Sequence, residues 1–179
     1  YLAQAKVDLA STEVDKAITR DPTFSFNLLY NAWVLMNKGD LDKARLEFVK
    51  SLEEREILVL YWSYLGLFAL DVLEGKFEKA ETELGQGIEK MNKLGAKDCE
   101  AEFHIRLGYG YLNSGRAEKA LEECEKARKL ALEIERDDLQ RQALYIKGLS
   151  YLRKGSLGEA RKTAEELKQM IESGINKKK

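Results

Sequence analysis

Apolar side chains recur along most of this chain at intervals of three and four residues, and short polar segments containing glycine interrupt them. Apolar residues at this spacing lie on one face of an α-helix, so the pattern predicts a series of helices rather than strands. In these segments a glycine is followed five residues later by an alanine, as at Gly39 and Ala44, Gly75 and Ala80, Gly115 and Ala120, and Gly155 and Ala160. A recurring pair of this kind predicts one supersecondary unit that is copied and stacked.

The copy around Gly115 indicates which unit is repeated. Helical periodicity extends to Ser114, and a second periodic run begins at Ala117. Gly115 between them can adopt the positive φ that ends a helix. Two helices joined by so short a turn lie side by side, and they approach closely where small residues such as Gly108 and Ala120 face each other. The unit is therefore predicted to be a hairpin of two antiparallel helices.

These hairpins divide the chain into a half-repeat and four complete repeats within a single domain. The predicted boundaries are 1–22 for the half-repeat, 23–56, 57–97, 98–137 and 138–174 for the repeats, and 175–179 for a basic tail. We expect helices over Lys6–Arg20, Phe24–Asn37, Leu41–Arg55, Ile57–Leu73, Phe77–Leu94, Leu139–Lys154 and Leu157–Glu172, and a helix pair over Cys99–Ile134.

The second complete hairpin departs from the spacing of the third. Gly66 stands further before Ala80 than Gly108 stands before Ala120, and the difference is two positions. Because both glycines are expected where the two helices cross, the difference predicts a longer turn, or a local irregularity, in the second hairpin.

The repeated residues resemble the tetratricopeptide repeat, whose motif is Trp-x2-Leu-Gly-x2-Tyr followed by Ala-x3-Phe, a second Ala and a closing Pro. The third hairpin carries His104, Leu107-Gly108, Tyr111, Ala120, Cys124 and Ala127 in these places, and the fourth carries Leu144, Gly148, Tyr151, Ala160 and Ala164. The second carries Trp62, Leu65-Gly66, Ala80 and Leu84, the first carries Leu28, Ala32, Leu35, Ala44 and Phe48, and the half-repeat carries Tyr1, Ala10, Val14, Ala17 and Asp21-Pro22. The equal spacing of Ala80, Ala120 and Ala160 resembles the longer variety of this repeat. The resemblance implies an all-α solenoid of about four and a half stacked hairpins.

The charge and composition of the chain limit the classes of partner that we expect. The 30 basic and 31 acidic side chains leave a net charge of −1, so we expect neither nucleic acid nor an anionic membrane surface as a partner. No apolar run reaches the ~18 residues that a membrane span needs. Two cysteines, Cys99 and Cys124, are too few for a disulfide framework, which favours a cytoplasmic location.

Side chains that could perform chemistry are sparse. The single histidine, His104, occupies a bulky apolar position of its hairpin and is predicted to be a core residue rather than a metal ligand or general base. Glu122-Glu123 and Glu165-Glu166 are assigned to the solvated faces of their helices. Nucleophile-elbow, phosphate-binding glycine and Cys-x2-Cys patterns are absent from the sequence. We therefore expect no catalytic site, no metal and no cofactor.

The family resemblance also implies where a ligand would lie. In tetratricopeptide repeats the first helix of each hairpin lines the concave side of the superhelix, and ligands usually occupy that groove. Carried over to this chain, the candidate groove residues are Leu29, Tyr30, Trp33, Tyr64, Ile105, Arg106, Tyr109 and Tyr145. Exposed aromatic and arginine side chains are typical of interface hot spots. Because Arg106 is the single arginine in this set, we expect a ligand with an apolar or aromatic anchor, and no binding of acidic chaperone tails.

Three classes of function remain open at this stage. The favoured class is a non-catalytic interaction scaffold that binds a peptide or helix of another protein, as a docking or sensory arm of a larger regulatory protein. The alternatives are an RNA-binding helical-repeat solenoid, which would need a basic groove, and a repeat domain attached to an enzyme outside this fragment.

We expect the first and the last helix of the array to differ in how well their apolar stripes are covered. The C-terminal helix has an apolar stripe on one side and polar residues on the other, as the last helix of a repeat array requires. The N-terminal helix has lost most of the partner that would cover Val7, Ala10, Val14 and Ala17. We expect the natural chain to continue upstream, and the fragment to fray before Asp21 or to cover this stripe by self-association.

Overall fold

A computed structural model describes the backbone of residues 2–176 and the side chains of residues 6–173. Over this described part the chain forms nine α-helices and no strand. The fold is therefore an all-α helical-repeat solenoid, as predicted. The helices are α1 Leu2–Arg20, α2 Phe26–Lys38, α3 Leu41–Ser51, α4 Ile57–Leu73, α5 Phe77–Leu94, α6 Lys97–Asn113, α7 Ala117–Glu133, α8 Asp137–Arg153 and α9 Leu157–Asn176.

The chain separates into two compact units at a boundary within α5. The first unit extends to Gly87, and the second begins at Ile88. The predicted half-repeat begins at Tyr1, which lies outside the described residues, and the predicted basic tail over 175–179 lies outside the described side chains.

Helix ends follow the predicted turn chemistry. Gly115 has a φ of 78° and ends the turn after α6, where the Arg116 N–H donates to the Tyr111 carbonyl at 2.8 Å. Only glycine adopts this left-handed backbone without a Cβ penalty. Six predicted boundaries were wrong by two to four residues: α1 begins at Leu2, α2 at Phe26, α6 at Lys97 and α8 at Asp137, while α3 ends at Ser51 and α9 at Asn176. The late start of α2 has a local cause, since the Asp21 side chain accepts from the N–H and hydroxyl of Thr23 and holds a turn there.

The predicted irregularity in the second complete hairpin is absent. Three residues separate α4 from α5, and three separate α6 from α7, so the two turns have equal length. From α4 onward the first helices of the hairpins begin at a constant interval, at Ile57, Lys97 and Asp137. In this register Gly66 is equivalent to Arg106, not to Gly108. Gly66 is small for another reason: it accommodates the ring of Phe48 on α3, which a Cβ at this position would overlap.

The core of the first unit is apolar, with one charged network beside it. Its central cluster is formed by Leu29, Ala32, Ala44, Phe48, Leu67 and Leu70. Asp71 is fully buried and accepts from Arg45 at 2.5 Å and from Lys79 at 3.2 Å. Arg45 also pairs with Glu74 at 3.0 Å. The network links α3, α4 and α5, and its charges offset one another, as a buried carboxylate requires.

The core of the second unit contains the single histidine of the chain. His104 is buried, as predicted, and its Nδ1 lies 2.6 Å from Oε2 of Glu123 on α7. Glu123 also accepts from Lys126 at 2.7 Å. The assignment of Glu123 to a solvated face was wrong, because this side chain is buried while Glu122 beside it is exposed. Glu123 thus supplies the polar partner that a buried histidine needs.

Candidate functional site

The first helices of the second unit form a cavity of about 520 Å³ that is open to solvent. It lies beside α6 and α8, and the later part of α9 closes one side. The predicted groove residues Ile105, Arg106, Tyr109 and Tyr145 all line it. The remaining lining residues are Asp138, Arg141, Gln142, Ile146, Leu167 and Ile171. We call this cavity the α6–α8 groove.

The groove has an apolar floor and aromatic sides. Ile105 and Ile146 are almost fully buried and form the floor. Tyr109 and Tyr145 stand at the sides with 43% and 51% of their surface exposed. Ile105 and Tyr109 are four residues apart on α6, so the helical period places them on the same face. Large, partly exposed aromatic rings beside a buried aliphatic floor form a surface suited to an apolar anchor of a ligand.

The charged residues of the groove leave two guanidinium groups available. Arg106 is exposed and Arg141 is half-buried, and neither forms an ion pair within the described part of the chain. Asp138, in contrast, accepts from Arg136 through both oxygens, at 2.8 and 2.7 Å. These hydrogen bonds lower the pKa of Asp138 to about 2, so its charge is already compensated. The groove therefore presents net positive charge around an apolar floor.

Sequence reasoning missed Arg141, since only Arg106 was counted as a groove arginine. A signal for it was present, because Arg141 precedes Tyr145 by four residues and so shares its helix face. Because the groove contains a second guanidinium, we expect its ligand to carry an acidic group beside the apolar anchor.

In the first unit the predicted residues separate into core and surface. Leu29 is 2% exposed and belongs to the core. It therefore does not line an exposed groove, contrary to the prediction. Trp33 is half-buried and its ring meets Phe48 edge-on at 5.3 Å. Tyr64 is also half-buried, and burial raises the pKa of its hydroxyl. Of the four candidates in this unit, only Tyr30 is exposed.

Tyr30 and Trp33 line a second cavity of about 410 Å³, which α1 shares with α2. Val7, Ala10 and Val14 of α1 line its other side, and these residues belong to the stripe that was expected to lack a partner. Val7 and Val14 are half-buried, so α2 covers part of the stripe, while Ala10 stays exposed.

One exposed aromatic residue of the first unit escaped prediction. Trp62 was matched to the tryptophan of the repeat motif and not to the groove, but it is 42% exposed and its ring packs edge-on against Trp33 at 6.3 Å. The constant register of the first helices places Trp62 in the position of Glu102 and Gln142. Gln142 lines the α6–α8 groove, so this register was the signal that could have identified Trp62.

The two cysteines lie in the interior. Cys99 and Cys124 are buried free thiols, and burial together with nearby carboxylates raises the pKa of each to about 12. A thiol with this pKa is not a nucleophile at neutral pH. Among the described residues no cluster of histidine, cysteine or acidic side chains could hold a metal ion. None of the helices in the described region is both long and apolar enough to cross a membrane.

Comparison with known proteins supports the fold. No family model and no curated protein matches the sequence. Among solved structures, the chain is similar to BtubC (BKLC) from P. vanneervenii, with a TM-score of 0.57 and 16% identity. The alignment covers 98% of this chain and 93% of that one. At this identity the likeness concerns the fold alone.

Proposed function

We propose that this chain is a non-catalytic interaction module of the tetratricopeptide-repeat type, which binds a peptide segment of a partner protein in the α6–α8 groove. One observation carries the proposal: four residues that the family resemblance implied as groove residues line a single cavity of about 520 Å³. A cytoplasmic location is part of the proposal, since both cysteines are free, buried thiols.

The chemistry of the groove suggests the kind of peptide. The apolar floor and the two tyrosines favour an aliphatic or aromatic anchor residue. Arg106 and Arg141 favour a carboxylate next to this anchor, because a guanidinium donates two parallel hydrogen bonds to a carboxylate. We therefore expect a short segment that combines one large apolar side chain with one acidic side chain.

A peptide-display selection tests the proposal. The full chain is used to select from a random library, and enriched peptides are then measured against Tyr109→Ala, Tyr145→Ala and Arg106→Ala by fluorescence anisotropy. Loss of a hot-spot aromatic side chain should weaken binding at least tenfold, which corresponds to about 1.4 kcal/mol. Lys129→Ala, at an exposed position of α7 outside the groove, is the control and should leave affinity unchanged.

Two results would refute the proposal. One is a selection that enriches no common sequence, and the other is a set of peptides that bind all three groove variants as tightly as the parent chain. If the chain were an RNA-binding solenoid, it would instead bind single-stranded RNA, with an affinity that falls steeply as the salt concentration rises.

A further inference from the structure

Two successive hairpins of the second unit differ in how well their equivalent positions are covered. Leu112 on α6 is 4% exposed, whereas Leu152, at the same place on α8, is 52% exposed. Ala117 and Cys124 of α7 are buried, but Leu157 and Ala164 at the equivalent positions of α9 are exposed. The side chains at these positions are of similar apolar character, so the difference lies in what covers them.

Helix α8 is the element that covers the earlier hairpin. Cγ2 of its residue Ile146 comes within 3.7 Å of a Cβ built on Gly108. Leu139, Ala143 and Ile146 are buried at intervals of four and three residues, which is the stripe of an amphipathic helix. At Gly148, the equivalent of Gly108, a Cβ would meet only Thr163 of the same hairpin, at 3.7 Å.

The exposed apolar positions of α8 and α9 line a cleft. A cavity of about 350 Å³ lies between α8 and α9 and is lined mainly by aliphatic side chains. Leu149, Leu152, Leu157, Ala160, Ala164 and Leu167 are among the lining residues. The predicted apolar stripe of α9 is therefore covered only in part: Ala160 is buried, but Leu157 and Ala164 are exposed. We call this cavity the α8–α9 cleft.

We propose that the α8–α9 cleft binds an amphipathic α-helix of a partner protein, which docks there as α8 docks on α6 and α7. The lining residues of the cleft all belong to α8 and α9, so among the described residues no third helix covers it. The required helix has apolar residues at one position and at four and seven residues after it, as in Leu139, Ala143 and Ile146.

Charge supplies a second feature of the required helix. Lys147 of α8 forms an ion pair with Glu125 of α7 at the edge of the covered surface. Glu165 is the equivalent residue on α9; it is exposed, and among the described residues it contacts the amide of Gln169 but no cation. The docked helix should therefore carry a basic residue directly after its third apolar position, where it can reach Glu165.

A peptide with the sequence of residues 137–153 of α8 provides a defined probe. Labelled with fluorescein and titrated with the full chain, it should bind with a measurable dissociation constant below about 1 mM. Ala164→Arg places a charge on the floor of the cleft and should abolish binding. Ser173→Arg adds the same charge at an exposed position of α9 that does not line the cleft, and should preserve binding.

A charge exchange tests the orientation of the helix. Replacing the peptide lysine that corresponds to Lys147 with glutamate should weaken binding about two- to fivefold, as expected for an exposed pair. The chain variant Glu165→Lys should restore the affinity of this altered peptide. Arg106→Ala changes the α6–α8 groove only, so unchanged peptide affinity in this variant separates the cleft from the groove.

Three outcomes would overturn the proposal. The first is no binding of the peptide at millimolar concentration. The second is equal binding to the parent chain and to Ala164→Arg. The third is a concentration-dependent dimer of the chain that Ala164→Arg dissociates, because a second copy would then be the occupant of the cleft.

Discussion

Phe48 and Gly66 form a contact that only glycine permits at its position. Phe48 extends from α3, is fully buried, and points its ring at the backbone of Gly66 in α4. A Cβ on Gly66 would overlap the ring, well inside van der Waals contact. The packing of α3 on α4 in the first unit therefore depends on this glycine.

Substitution of Gly66 tests that contact. Gly66→Ala should lower the free energy of unfolding by about 1–3 kcal/mol, because the buried ring has no space to move into. Gly85→Ala in α5 is the matched control: a Cβ there meets no atom within 4 Å. It should raise stability by about 0.5–1 kcal/mol through helix propensity. Urea denaturation measures both, and equal effects of the two substitutions would contradict the packing described.

The small residues at the helix crossings should differ in their tolerance. Ala120 is fully buried, whereas Ala160 is 6% exposed and borders the open α8–α9 cleft. Ala120→Leu should cost about 1–3 kcal/mol through overpacking, and Ala160→Leu should cost clearly less because its side chain can enter the cleft. Thermal and urea unfolding of the two variants give the comparison. A larger loss at Ala160 would mean that the cleft is closed in solution.

Trp33 and Tyr30 were both predicted to be groove residues, but their surroundings differ. Trp33 packs against the core cluster of the first unit and Tyr30 is exposed. Trp33→Ala should destabilise the chain by about 3 kcal/mol, the low end for an aromatic residue removed from a core. Tyr30→Ala should change stability by less than about 1 kcal/mol. If calorimetry shows equal stability for the two variants, Trp33 is a surface residue and its core assignment fails.

The pair formed by His104 and Glu123 makes stability depend on pH. Burial opposes ionisation of Glu123, but hydrogen bonds from His104 and Lys126 outweigh it, so the pKa of Glu123 lies below its ordinary value of 4.5. A carboxylate with a depressed pKa contributes stability above pH 4.5, and this contribution is lost as the pH falls through the folded-state pKa.

Unfolding measured between about pH 3 and pH 6 tests this dependence. The parent chain should lose more stability on acidification than Glu123→Gln does, since the variant has no charge to lose. Glu122→Gln, at the exposed neighbouring position, is the control and should lose stability on acidification as the parent does. Parallel curves for the parent and Glu123→Gln would show that folding does not lower the pKa of Glu123.

The helical hairpins could be predicted from sequence because glycine turns and the apolar period are local signals. The equivalence of individual residues between hairpins was harder to predict. Gly66 resembled a crossing glycine, but it is determined by Phe48 on the preceding helix, a contact that no local pattern reveals. That error moved the expected surface of α4 by two positions, so Tyr64 was chosen and Trp62 was missed. In the second unit the glycines are in register, and the four residues chosen there do line one cavity.

Buried polar partners were beyond the reach of sequence reasoning. Glu123 stands three residues after Ala120 and four before Ala127, so the helical period places it beside the buried stripe of α7 and places Glu122 away from it. The partner of Glu123 could not be predicted in this way, because its contact with His104 depends on how α6 packs on α7. Coverage of α9 is a similar case, because its stripe is apolar, as that of α7 is, but no helix of the described chain lies over it.

The central claim, that a peptide binds in the α6–α8 groove, is tested most directly by nuclear magnetic resonance. The amide spectrum of the ¹⁵N-labelled chain is recorded during titration with a peptide from the display selection. We predict chemical-shift changes centred on Arg106, Tyr109, Arg141 and Tyr145, and their loss in Tyr109→Ala. Shift changes centred on α7, or on residues before Gly87, would place the peptide elsewhere and contradict the proposed function.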